Sequence, residues 1–198
     1  DLDNGFQYGE NLTWGVFDSE TETLILGAQV SYSFGSNFYS CNGLTGIESV
    51  TANSSYSQSI NLPQGWSLWS TYIDPADSSI GSVFNSIEND LIIVKDQVGN
   101  VYWPQFGLNS IGALTIGQGY QTKMNSSSTL SIEGNLVPFD SNISLNTGWN
   151  IMGYLHQEPY SVIDMMSSVN SANLIIMKDQ SGNVYWPQFG LNNIGNMN

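Results

Sequence analysis

Alternation of apolar and polar positions predicts short strands over most of this chain, broken by one stretch of helical spacing in each of two similar regions. Residues 59–62 read as a strand closed by a turn at 63–65, and 66–73 as a second strand. Trp66, Leu68 and Tyr72 fall on one face of that second strand and Trp69 and Ile73 on the other, so both faces are expected to be covered. The Asp- and Ser-rich run from Asp74 to Ser79 is a helix start signal, with Asp77 as the expected cap. Ile80, Val83, Phe84 and Ile87 then recur at helical spacing and predict one helix over 78–88. Leu91–Lys95 and Val101–Trp103 flank a turn containing Gly99, which predicts a hairpin. Pro104 ends the second of those strands, because proline cannot donate to a ladder. Tyr120–Met124 and 129–133 predict a last strand pair. Ahead of these elements, 12–18, 23–34 and 46–56 carry strand patterning only.

An internal repeat organises this pattern. The segment LIIVKDQVGNVYWPQFGLNSIG at 91–112 returns as LIIMKDQSGNVYWPQFGLNNIG at 174–195, with 19 of 22 positions identical at an offset of 83. The same offset aligns Ile60, Leu62, Gly65 and Trp66 with Ile143, Leu145, Gly148 and Trp149. Tyr72 and Tyr154 match one residue out of step. The expected organisation is a β segment at 1–58 forming part of a β-sandwich, a complete repeat at 59–142, and a second repeat at 143–198 cut before its last strand pair. Residues 143–198 contain no counterpart of 116–142. The predicted fold class is α+β and β-rich: a partial sandwich segment followed by tandem small, mainly antiparallel units with one helix each. The second helix is expected to carry Val162, Ile163, Met165, Met166 and Val169.

Composition narrows the range of partners. Seventeen acidic side chains face only three basic ones, Lys95, Lys123 and Lys178, for a formal net charge of −14. Charged residues are just 10% of the chain, so its acidity comes from a shortage of bases. Nucleic-acid binding needs clustered Lys or Arg and is excluded, as is attraction to an anionic membrane surface. No apolar run is long enough for a membrane-spanning helix. A Ser- and Asn-rich, Lys-poor surface suits an extracellular setting, and sequons stand at Asn11, Asn53, Asn125 and Asn142. Cys41 is alone and is expected to be a small buried hydrophobe. The chain reads as beginning inside one module and ending inside another.

Candidate chemistry is sparse. His156 is the only histidine, and the repeat does not preserve it, so nucleophilic triads and His-rich metal sites find no support. Asp96 and Asp179 recur together, but in a hairpin turn, where aspartate bonds its own backbone. Paired carboxylates for glycoside cleavage rank last, and the chain is not expected to be an enzyme. Asp1 and Asp3, followed by Asn4 and Gly5, resemble the opening of an oxygen-ligand loop, which makes calcium the one candidate cofactor. Tyr102, Trp103 and Phe106, repeated as Tyr185, Trp186 and Phe189, form the candidate binding platform for a sugar ring. Trp66 and Trp149 of the Gly-Trp pairs are instead expected in the core. Lys95 and Lys178 are expected to end a strand and guard its edge.

The repeated Gly-Trp-x-(Leu/Ile)-x-x-x-Tyr signature, the KDQxGNVYWP hairpin and GYQTKM at 119–124 together resemble a module common in large secreted proteins of Bacteroidetes-type bacteria, often exported by the type IX system. DNGFQYGENLTWGVFD at 3–18 is similar to part of a β-sandwich module of the same proteins. The resemblance implies a multidomain protein of the cell exterior whose motifs are turns and packing aromatics, with no catalytic residues to carry over. The expected role is an extracellular structural or adhesive repeat protein. Its partners would be copies of itself or neighbouring modules, assembling head to tail into a filament or array by completing open sheet edges. The alternative is a carbohydrate-binding module of a larger secreted enzyme or adhesin, with polysaccharide as partner.

Overall fold

The computed structural model describes residues 6–19, 23–52, 55–170 and 172–197. The chain divides into two compact units, Asp1–Ser54 and Ser55–Asn198. The candidate calcium residues Asp1 and Asp3 lie outside the described residues.

In the first unit β1 (Gly15–Asp18) pairs with β2 (Thr23–Leu26), and β3 (Gln29–Phe34) with β4 (Gly46–Thr51), both antiparallel. The expected strand at 23–34 is two strands, because Gly27 takes a φ of 75° and turns the chain between them. No described side chain of this unit is fully buried, while Phe17, Leu26, Phe34 and Leu44 are exposed. Two separate two-stranded ribbons have too little apolar area to bury. Cys41 is exposed, which corrects the expectation of burial.

The second unit holds both repeats. Its first copy begins with β5 (Tyr56–Leu62), β6 (Gly65–Trp69) and β7 (Ile73–Pro75), followed by α1 (Ile80–Phe84) and a 3₁₀ turn at Asn85–Asp90. Then come β8 (Leu91–Lys95), β9 (Val101–Trp103), a 3₁₀ turn at Pro104–Phe106, β10 (Leu108–Asn109), β11 (Tyr120–Met124) and β12 (Ser128–Leu136). One antiparallel sheet has the order β10-β9-β8-β11-β6, the other β5-β12-β7. The expected strand at 66–73 is broken because the chain passes there from the first sheet to the second. The Thr71 hydroxyl holds that corner, accepting from the Ile73 amide at 2.9 Å, while the Tyr72 amide donates to Gln58 Oε1 at 3.1 Å. The helix is shorter than expected and tightens to 3₁₀ after Phe84. Ser79, not Asp77, stands at its N-cap; Asp77 lies two residues ahead of it, and its Oδ1 accepts from the Ser79 amide at 3.0 Å.

The core of this copy lies between the sheets and α1. Trp69 stacks on Tyr120 at 5.3 Å and meets Phe84 edge-on at 5.5 Å. Its indole N–H donates to Thr122 Oγ1 at 2.7 Å, so the buried polar pair is satisfied internally. Ile73, Ile80, Val94, Met124 and Leu130 close around them.

The second copy contains β13 (Tyr160–Ser161), α2 (Val162–Met165), β14 (Met177–Lys178), β15 (Val184–Trp186), a 3₁₀ turn at Pro187–Phe189, β16 (Leu191–Asn192) and β17 (Asn196–Met197). Ser161 caps α2 with dihedrals nearly equal to those of Ser79, and Val162 and Met166 are buried like Ile80 and Phe84. Those matches run at an offset of 82, so the one-residue slip at Tyr154 persists through the helix and is restored before the hairpin. All described strand pairs are antiparallel, and strand far outweighs helix: the fold is a β-rich α+β fold. Among the described residues no helix is long and apolar enough to cross a membrane.

Candidate functional site

The repeated hairpin is the most strongly determined local structure. Asp96 Oδ1 accepts from the amides of Val98 at 2.9 Å and Asn100 at 2.8 Å, and its Oδ2 accepts from Asn100 Nδ2 at 2.7 Å. Asp179 makes the same three bonds, at the same lengths, to Ser181 and Asn183. Burial raises the Asp179 pKa, but hydrogen bonds from Asn183, Ser181 and Gly182 together outweigh it and leave the carboxyl below its usual range. Both aspartates therefore serve the turn. Pro104 and Pro187 start a single 3₁₀ turn, which Gly107 and Gly190 end at φ of 63° and 62°.

These turns position the candidate platform. Trp103 and Phe106 meet edge-on at 4.7 Å, as do Trp186 and Phe189. Phe106 is 61% exposed and Phe189 67%. Each indole N–H is buried without a hydrogen-bond acceptor among the described residues. In both copies the phenylalanine ring stands nearly perpendicular to the indole, at 85° and 81°. Tyr102 does not share this exposed face. It is 8% exposed, belongs to the core, and its hydroxyl donates to Glu88 Oε1 at 2.6 Å. Burial first, then the Glu88 bond and charge, push its pKa up to about 12. Tyr185, its counterpart, is partly buried.

The Gly-Trp residues expected in the core are exposed, Trp66 by 52% and Trp149 by 74%. Lysines lie against their rings. Lys95 and Lys123 lie 5.2 and 5.7 Å from the Trp66 ring centre, and Lys178 lies 5.8 Å from that of Trp149. All three basic side chains of the protein are thus placed on tryptophan faces. Lys95 lies on an interior strand of its sheet, so it guards no edge.

The two copies meet through equivalent residues used in both directions. The Leu68 amide donates to Gln180 Oε1 at 3.4 Å, and the Ile151 amide donates to Gln97 Oε1 at 3.3 Å. Leu68 and Ile151 correspond in the repeat, as do Gln97 and Gln180, which is the reciprocity of a two-fold contact. Gly117 to Gly119 runs antiparallel to Ile151 to Gly153, with Gly119 N donating to Ile151 O and Gly153 N to Gly117 O, each at 2.8 Å. A cleft of about 270 Å³ lies along this junction, lined by Gln97, Ile116, Ile143, Leu145 and Met152. The recurrence of glutamine after Lys-Asp in both copies was the one sequence signal for this contact.

His156 belongs to an aromatic stack, 4.4 Å from Tyr160 at 9°, 5.6 Å from Tyr154 and 5.0 Å from Phe139. No group of three or more metal-ligating side chains occurs among the described residues. Compared with known proteins, the chain matches no family model, no curated protein and no solved structure.

Proposed function

We propose that this protein is a non-catalytic structural or adhesive repeat protein of the bacterial exterior, assembling with copies of itself or with neighbouring modules through sheet edges. The observation that carries this reading is the junction of the two repeats, where main-chain edges and a repeated glutamine bind one copy to the next. The resemblance to secreted Bacteroidetes-type repeat modules, the acidic Ser- and Asn-rich composition and the turn role of the repeated aspartates support it further. A two-fold contact closes on itself, so growth beyond two repeats must use other edges. Electron microscopy of the purified chain over a range of concentrations tests the reading. Filaments, arrays or concentration-dependent oligomers are expected; a monomer at every concentration overturns it.

The edge-on Trp–Phe pair, with its phenylalanine exposed and its tryptophan partly buried in both copies, favours a second reading as a carbohydrate-binding module. On that reading a polysaccharide quenches tryptophan fluorescence, and Phe106→Ala with Phe189→Ala abolishes the quenching without unfolding the chain. Calcium at Asp1 and Asp3 is part of neither reading's core and is tested by titrating the metal against the intact chain.

A further inference from the structure

The five-stranded sheet of the first repeat has an unusual charge pattern for so acidic a chain. Its strands β6, β8, β9, β10 and β11 contain no Asp or Glu, although the chain has 17 acidic side chains. They do contain Lys95 and Lys123, two of its three bases. Thr122 pairs with Ser67 on one side and Val94 on the other, and all three are buried, so the alternate residues of these strands form the outer face. One row across that face carries Lys95 and Gln121. The next carries Trp103 on β9, Ile93 and Lys123 at its centre, and Trp66 on β6.

Lys95 and Lys123 are diagonal neighbours on this face, with Cβ atoms roughly 7 Å apart. Their ammonium groups converge on one ring, 5.2 and 5.7 Å from the Trp66 centre. Like charges so placed repel each other, and among the described residues neither has an ion-pair or hydrogen-bond partner. The Trp66 ring offsets part of that repulsion and holds both ammonium groups beside an exposed surface. Elsewhere the acidic chain repels an anion. Here a carboxylate meets two unpaired cations on strands without an acid. Two charges are too few for a nucleic acid or an anionic membrane, and enough for a single carboxylate.

We propose that this sheet face is a binding site for an acidic saccharide, a chain of uronate units of which one carboxylate bridges Lys95 and Lys123. Gln121, exposed in the same row as Lys95, offers an amide donor and an acceptor to ring hydroxyls. Trp103, with Phe106 edge-on to it, gives the apolar surface for a neighbouring sugar ring. From β9 to β6 is three strand spacings, about 14 Å, which suits an oligosaccharide rather than a single sugar. This inference rests on the carbohydrate-binding reading above and adds the class of saccharide and the residues that select it.

The test titrates the intact chain with trisaccharides of galacturonate and of mannuronate, and with their methyl esters, which keep the sugar rings and lose the charge. Physiological ionic strength, with a Debye length of about 8 Å, screens repulsion from the rest of the chain. At least one acid should bind saturably at one site, shifting the NMR signals of the Trp66 and Trp103 indoles. Its ester should bind about tenfold more weakly or worse, as should the acid to Lys95→Gln or Lys123→Gln, because each change removes a charge-assisted bond. Lys178→Gln changes the net charge equally and should leave binding as it is. Equal binding of acid and ester overturns the proposal and leaves the carbohydrate reading standing. Equal losses from Lys178→Gln overturn it too, since net charge then acts and not this face. Binding of triglutamate as tight as that of the sugar acid also overturns it, and makes an acidic peptide the occupant. If neither acid binds, the site is absent, and the carbohydrate reading is decided separately by the Phe106→Ala and Phe189→Ala quenching test.

Discussion

The amide of Gly153 donates to the carbonyl of Gly117 at 2.8 Å, and a Cβ placed on Gly153 would lie 2.8 Å from that carbonyl carbon. The junction between repeats therefore depends on a residue with no side chain. Gly153→Ala must push backbone against backbone, and overpacking of this kind costs about 1–3 kcal/mol. Ser70 stands at the equivalent place in the first copy, where its hydroxyl accepts from the Tyr154 amide at 2.9 Å. Urea unfolding followed by tryptophan fluorescence should show a lower midpoint for Gly153→Ala and a smaller loss for Ser70→Ala. Equal stability of Gly153→Ala and the parent would mean that the junction is not formed.

The Trp69–Thr122 hydrogen bond gives a second prediction. Both groups are buried, and the bond ties β6 to the centre of β11. Thr122→Val keeps the volume but strands the indole N–H in the core, at about 1–3 kcal/mol. Thr122→Ser keeps the hydroxyl and loses a methyl, which costs about 1 kcal/mol. Denaturation midpoints should fall more for valine than for serine; the reverse order would show that packing outweighs the bond.

The sequence announced what is periodic and local, and missed what depends on neighbours. The hairpin at 96–100, the strand at Tyr120–Met124 and the repeat itself follow from turn residues and alternation read in place. The corner at Ser70 to Tyr72 was invisible, because Thr71 and Gln58 make it through side-chain bonds to backbone that leave no mark on hydrophobic period. Trp66 and Trp149 were misplaced for a related reason. Tryptophan is usually largely buried, but here the rings stay at the surface, where lysines opposite make cation–π contacts with them. The candidate platform was legible as a repeated aromatic run, yet only the geometry separates core Tyr102 from exposed Phe106.

The same turn in two settings provides a third prediction. Asp96→Ala and Asp179→Ala each remove an acceptor of three bonds. The first hairpin is embedded in a five-stranded sheet, the second in a three-stranded one. Losing Asp96 should lower global stability by about 1–2 kcal/mol. Losing Asp179 should chiefly speed local hydrogen exchange at Ser181 to Asn183, with little change in the global midpoint. A similar global loss from both variants would show that the repeats unfold as one cooperative unit.

Stability should have an acidic and an alkaline limb, each traceable to named groups. Hydrogen bonds from Ser82 and Ser79 hold Asp77 down at about 2, and those from Ser126 and Ser128 lower Asp90, against an ordinary value of 3.8. A depressed carboxyl contributes stability that is present above its unfolded value and lost as pH falls through the folded one. Tyr102 runs the other way. Its proton is held until about 12 against an ordinary 10.0, so its contribution is full below pH 10 and disappears as pH rises through 12. Urea midpoints measured from pH 2 to 11 should form a plateau between roughly pH 4 and pH 10. Asp77→Asn with Asp90→Asn should lower the plateau and flatten the acid limb alone. Tyr102→Phe should flatten the alkaline limb and release Glu88 from its hydroxyl partner; an unchanged alkaline limb in that variant would remove Tyr102 from the account.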